Sequence, residues 1–237
     1  MGWGGVVQRW WGDLCSMVYP NCCEVCSAPL VEGERVMCLQ CNYEMPRCNI
    51  HTDDFNTLHK RLAGHAPIER AAGFFFYYRG SPYTAMIHAA KYNGRPRLGR
   101  ELAEMFAREI EADGFFNGID LILPVPLHRV KLIKRGYNQS AHIAAGISNA
   151  TGIRTANNLI AKHAHATQTR RNAFQRWKNA KGIYDVENSG ELAGKHVLVV
   201  DDVITTGATM LACCEAIHRA SPSTTISVLS LGVTELQ

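Results

Sequence analysis

Past Pro67 the chain alternates short apolar runs with stretches whose apolar positions recur every three or four residues. The runs predict strands over residues 71–78, 120–124, 195–200 and 225–233. The amphipathic stretches predict helices over 83–92, 98–111, 140–150 and 208–220, with Gly94 and Pro96 separating the first two. Apolar strands without in–out alternation are what a parallel sheet covered on both faces produces. Strands alternating with helices argue for the α/β class. Ahead of this region, residues 1–50 are rich in cysteine and residues 51–66 are polar, as a connector would be. The expected division is therefore a small module with its connector over 1–65 and a sheet domain over 66–237. No internal repeat or low-complexity tract interrupts the pattern.

Composition narrows the class. The chain has 237 residues, 46% of them hydrophobic and 19% charged, which excludes disorder as the main state. No apolar run approaches the roughly 18 residues of a membrane span. The N-terminal MGWGGVVQRWWGDL has no hydrophobic signal core and carries Arg9 and Asp13, so a cytoplasmic address is the expectation. Trp3, Trp10 and Trp11 in this stretch fit a short amphipathic helix packed on a neighbouring element, with partner binding as the alternative.

The net charge of +4 is ordinary, but its distribution is not. Residues 121–184 hold 11 Lys and Arg and no Asp or Glu. The rest of the chain therefore carries 14 − 21 = −7. A one-signed stretch of this length suits an anionic partner, either a polyphosphate or a nucleic acid.

Seven of nine cysteines lie between Cys15 and Cys48. Cys23 and Cys26 form one Cys-x-x-Cys pair, and Cys38 and Cys41 form a second. Two such knuckles offer four thiolates that can close tetrahedrally on Zn²⁺, leaving no open position, so the expected site is a structural zinc ribbon with one zinc. A redox role for either pair would call for a thioredoxin-like context, which the surrounding sequence does not supply. Cys213 and Cys214 sit in a helical pattern and read as small buried side chains.

One segment carries the chemistry. The apolar run Val197-Leu198-Val199-Val200 ends in Asp201 and Asp202, and after Val203-Ile204 comes Thr205-Thr206-Gly207-Ala208-Thr209, opening a helix. Ligands of open α/β sheets bind beyond the carboxyl ends of the strands. A helix start offers unpaired N–H groups and a positive dipole end, and a small-residue loop lets an anion approach them. The acid pair suits sugar hydroxyls or Mg²⁺. A P-loop would need Lys after Gly207, and a dinucleotide fingerprint would need three glycines. A receiver domain would need a further Asp, and none follows Asp202. Simple helix capping by the acids is the bland alternative.

Those residues, VVDDVITTGAT, resemble the phosphoribosyl pyrophosphate (PRPP) motif of type I phosphoribosyltransferases. LPVPLHRVKLIKRGYNQS (123–140) and TQTRRNAFQRWKNAKGIYDV (167–186) are similar to segments of the ComF/GntX family of phosphoribosyltransferase-like competence proteins. The paired cysteines fit the same layout. The resemblance implies a type I phosphoribosyltransferase-like parallel sheet behind a zinc ribbon. It implies that Asp201 and Asp202 accept hydrogen bonds from the ribose 2′ and 3′ hydroxyls of PRPP. Thr205, Thr206, Gly207, Ala208 and Thr209 would wrap the 5′-phosphate. The loop after the first core strand, with Arg129, Lys131, Lys134 and Arg135 beyond it, would take pyrophosphate. Arg171 and Arg176 would lie in the flexible hood loop, and Mg²⁺ would arrive with PRPP. Tyr137 and Tyr184 stand where the family commonly has Phe, and Lys162 where Arg is expected. No residue declares itself as an acceptor-binding or base group.

Two functions follow from this. One is PRPP binding with phosphoribosyl transfer. The other is handling of single-stranded DNA alongside competence machinery, which the family's association with DNA uptake implies and the basic stretch and zinc ribbon would serve. Tyr137, Phe174, Trp177 and Tyr184 are the aromatics available there for base stacking.

Overall fold

A computed structural model describes residues 21–53, 55–62, 66–162 and 182–235. The chain divides into two compact units, Met1–Met45 and Pro46–Gln237.

In the first unit, a tight turn forms one knuckle. Cys23 N–H donates to the Ala28 carbonyl at 2.8 Å, and Ser27 N–H donates to the Cys23 carbonyl at 2.9 Å. The second knuckle opens helix α1, Leu39–Glu44, whose N-cap is Cys38 and which buries Cys41. Glu34 ties the two halves by accepting from the N–H groups of Val31 at 2.9 Å and Leu39 at 2.7 Å.

The second unit is built on four parallel strands in the order β1-β6-β5-β2. These are β1 Ala71–Phe76, β2 Leu121–Pro124, β5 His196–Ile204 and β6 Thr225–Val233. Helices α2 Thr57–Leu62, α3 Pro82–Tyr92, α4 Pro96–Glu111, α5 Arg129–Arg135, α6 Gln139–Thr151 and α7 Ala208–Ala220 complete it, with a two-stranded antiparallel ribbon of β3 Leu159–Ala161 and β4 Tyr184–Val186. One face of the sheet packs Leu121, Leu123, Val197, Val199, Ile226 and Val228 into a core with α7, α2 and β4. Strand geometry sends alternate residues to the other face, where α6 lies on β2 and β5, and α3 and α4 reach β6. Both faces are covered, which is why the central strands are apolar throughout.

The sheet and its main helices follow the sequence pattern, with three differences. The segment read as a connector holds α2, because Leu58 and Leu62, one turn apart, are fully buried. Strand β5 runs to Ile204 rather than ending before the acids, because β6 continues to pair with it through Val203↔Gly232 and Ile204↔Val233. Helix α5 and the strands β3 and β4 were not anticipated. α5 buries no residue, and the ribbon strands have three residues each, too few for a period to register. Among the described residues no helix is long and apolar enough to cross a membrane.

Candidate functional site

β5 carries Asp201 and Asp202 to the edge of the core, and both are buried, at 8% and 5% exposure. Each has its own partner. Asp201 Oδ1 accepts from Ser140 Oγ at 2.9 Å and from the Asp202 N–H at 2.9 Å. Asp202 Oδ2 pairs with Lys91 Nζ at 2.9 Å. Burial raises the Asp201 carboxyl to about 7, the adjacent Asp202 adds to this, and Lys91 and Ser140 oppose it. A carboxyl held this way is costly to ionise, and perturbed carboxyls of this kind cluster at functional sites.

Beyond Ile204 the chain turns through Thr205 and Thr206 to Gly207, the N-cap of α7. Gly207 has φ 81°, a conformation that favours glycine, and a Cβ there would stand 2.8 Å from Leu62 Cδ2, so the buried Leu62 would have to shift. The turn encloses a cavity of about 40 Å³ lined by Asp201 and residues 203–210. Thr205, Thr206, Gly207, Ala208 and Thr209 thus come together with Asp201 at one end of the sheet. Two groups brace this turn from behind. Arg61 of α2 donates to the Thr205 carbonyl at 2.7 Å and also reaches the backbone oxygen of Thr234. Tyr184 of β4 is buried and shares a hydrogen bond with Thr209, and burial lifts its phenol above the usual range.

The loop Val125 to His128 connects β2 to α5, and the His128 side chain caps α5 by accepting from the Val130 N–H. The four cations read as belonging to this loop lie on α5 itself. Arg129 and Lys134 are exposed, whereas Lys131 and Arg135 are half-buried. Burial lowers the Lys131 ammonium's value, and so do the neighbouring charges of Arg135 and Lys91. The guanidinium of Arg135 lies 4.9 Å from the Tyr92 ring centroid and binds Gln139 Oε1.

The segment RGYNQS positions this whole edge. Gly136, φ 84°, ends α5. The Tyr137 hydroxyl donates to the Ala90 carbonyl of α3 at 2.7 Å. Asn138 caps α6 and donates to the Val125 carbonyl at 3.0 Å. Ser140 reaches Asp201. Tyr184 is buried and so is not a free stacking platform, while the hydroxyl of the half-buried Tyr137 is committed to α3. Arg171, Arg176, Phe174 and Trp177 lie outside the described residues. Arg61 and Ser140 are site residues to which the sequence pattern did not point. The one local signal was Leu58 and Leu62 flanking Arg61 on an apolar face.

In the first unit the Sγ atoms of Cys23, Cys26, Cys38 and Cys41 all lie within 4.8 Å of one another. Zn–S bonds of about 2.3 Å at tetrahedral angles put sulfurs about 3.8 Å apart. Cys26 Sγ and Cys38 Sγ are 3.8 Å apart. The four cysteines therefore fit a metal such as zinc.

The sequence model of the family described as "Phosphoribosyl transferase domain" matches residues 96–235. The chain belongs to that family. Its α/β fold is accordingly a phosphoribosyltransferase fold, and the strand–loop–helix from β5 to α7 falls inside the matched part. The chain is 26% identical over 220 residues to "DNA utilization protein YhgH" of Escherichia coli O6:H1, covering 88% of this chain and 95% of that one. It is 28% identical over 161 residues to "Competence protein F" of Haemophilus influenzae, covering 66% of each. Among solved structures it is similar to the glutamine PRPP amidotransferase of B. subtilis complexed with ADP and GMP. That match has 23% identity and a TM-score of 0.37, over 58% of this chain and 26% of that one. The chain is thus a ComF-like member of the phosphoribosyl transferase family.

Proposed function

We propose that the second unit binds PRPP with Mg²⁺ at the carboxyl end of β5. The observation that carries this is the continuous strand–turn–helix with its buried acid pair beside a cavity lined by Asp201 and residues 203–210. The turn gathers the start of α7 and Thr205, Thr206 and Thr209 around one cavity, and a helix start lined by small residues suits a phosphate monoester. Asp201 and Asp202 supply acceptors that ribose hydroxyls would satisfy. Mg²⁺, bound largely through PRPP oxygens and the acid pair, would offset the diphosphate's charge. Lys131 and Arg135 supply fixed cations for the same group. Phosphoribosyl transfer is the chemistry such a site supports.

Calorimetric titration of PRPP and Mg²⁺ tests this reading, using wild type and Asp201→Asn/Asp202→Asn. Micromolar binding that the variant loses supports it. Absence of binding by the wild type refutes it.

A second reading is favoured by α5. Its cations Arg129 and Lys134 are exposed, as are Val130 and Ile133, and relatives are named for DNA utilization and competence. In that reading the α5 face contributes phosphate contacts to single-stranded DNA, with the address cytoplasmic and the zinc ribbon as a structural module. Replacing Arg129 and Lys134 with Ala should then flatten the salt dependence of DNA binding by about 1–2 in log–log slope. An unchanged slope would remove α5 from that role.

A further inference from the structure

The cysteine module has an apolar face that the described residues leave uncovered. The module buries Val36, Met37 and Met45, yet Val31, Leu39 and Tyr43 stay 67%, 74% and 84% exposed. These three make one patch. Leu39 and Tyr43 stand one turn apart on α1 and so share a face. The Glu34 carboxylate accepts from the N–H groups of both Val31 and Leu39, which sets those two backbones side by side. Glu32 and Glu44, also exposed, flank the patch in sequence. Clustered large apolar side chains with polar neighbours mark an interaction site, whereas singly scattered ones do not.

The point where the chain enters the module identifies the occupant. The Leu30 N–H donates to the Asn21 carbonyl at 2.8 Å, and Cys22 forms an antiparallel bridge with Pro29. Whatever precedes Asn21 is therefore tethered next to Val31. Twenty residues of sequence precede it, and in them Val7, Trp10, Trp11, Leu14 and Val18 recur every three or four positions. Ten residues of chain extend about 15 Å even at the short rise of a helix, enough to carry Trp10 and Trp11 from Asn21 past Leu39 to Tyr43. The tether holds these side chains at high effective concentration over the patch, which a separate partner would have to outcompete. We infer that residues 1–20 dock on the Val31, Leu39 and Tyr43 face of their own cysteine module, with Trp10 and Trp11 as the anchors. Tryptophan suits that role because it buries a large apolar surface at low cost in side-chain freedom. The face is then a seat for the chain's own N-terminal arm, not a port for a second protein. The assignment stands apart from the PRPP reading.

Tryptophan fluorescence of the full chain tests this. The tryptophans are Trp3, Trp10, Trp11 and Trp177, so Trp177→Phe leaves emission from the N-terminal arm alone. That parent should emit to the blue of free indole and be shielded from acrylamide. Adding Leu39→Asp and Tyr43→Asp should shift emission to the red and remove the shielding. Adding Val130→Asp and Ile133→Asp instead, which alter the exposed apolar residues of α5, should change neither. Red, freely quenched emission in the parent would overturn the assignment, because the arm would then be undocked. Emission unmoved by the Leu39 and Tyr43 changes would overturn it too, because the arm would sit elsewhere. Emission that turns red on dilution would make the occupant the arm of a second copy and exclude docking within one chain. If the Leu39 and Tyr43 variant does not fold, a photocrosslinker decides the matter. With p-benzoylphenylalanine in place of Tyr43, illumination should join position 43 to the peptide holding Trp10 and Trp11. In a mixture of isotopically light and heavy chains, that crosslink should fall within single chains. Crosslinks between light and heavy chains, to another peptide, or none at all refute the assignment.

Discussion

Asp201 should make the protein less stable above neutral pH, and removing its charge should reverse this. The carboxyl is buried, with burial first and Asp202 second raising it from the ordinary 3.8 to about 7. A carboxyl whose folded value exceeds its unfolded one binds its proton more tightly in the folded chain. The stabilisation is full below the unfolded value and is lost as pH rises through the folded one, here across about pH 4 to 7. Asp201→Asn keeps an acceptor for Ser140 and for the Asp202 N–H but has no proton to lose. Its advantage over wild type should therefore grow between pH 5 and pH 8. Two pH units of that window, at about 1.4 kcal/mol each, give roughly 2–3 kcal/mol. For a unit of this size that is about 4–12 °C in melting temperature. The assay is thermal unfolding of both proteins at pH 5, 6, 7 and 8. The difference between the curves cancels titrations outside the acid pair. A difference constant across the range would show that Asp201 is not a strained carboxyl, whatever the variant's absolute stability. The same variant should lose PRPP binding, so stability gained and ligand lost would appear together.

Three further outcomes follow from the geometry. Gly207→Ala should cost about 1–2 kcal/mol, because a Cβ must take φ 81° and press on Leu62, and it should abolish PRPP binding in calorimetry. Arg61→Met should leave the Thr205 and Thr234 oxygens without their donor and loosen the turn, lowering the melting temperature by several degrees and PRPP affinity by about tenfold, with ribose 5-phosphate affected alike. Metal analysis by ICP-MS should find close to one zinc per chain after metal-replete purification. Cys38→Ser should drop it well below that, whereas a wild type near zero would refute the zinc ribbon.

The site separates into a part that adjacent residues encode and a part that only folding assembles. Asp201, Asp202 and the turn from Thr205 to Thr209 were legible because strand, turn and helix are contiguous, so the chemistry lies within a dozen residues of sequence. The two cysteine knuckles were legible for the same reason. Arg61 was not, since it braces Thr205 across 144 positions of chain, from a segment whose polar composition reads as a connector. Lys91 and Ser140 reach the acids from α3 and α6, each through a single contact that leaves no mark on periodicity. The segment RGYNQS shows what a motif can encode beyond a ligand contact. Its Gly136, Tyr137, Asn138 and Ser140 end one helix, pin a second, cap a third and hold Asp201. Such a segment constrains the acid pair's surroundings from outside the loop that would touch phosphate. The same argument accounts for the raised Asp201 carboxyl. The pair is buried rather than solvated, and Ser140 and Lys91 offset only part of the resulting cost at Asp201, a cost of the kind that functional sites carry. Ribose hydroxyls arriving at those oxygens would relieve it, which ties ligand affinity to the same burial that weakens the fold.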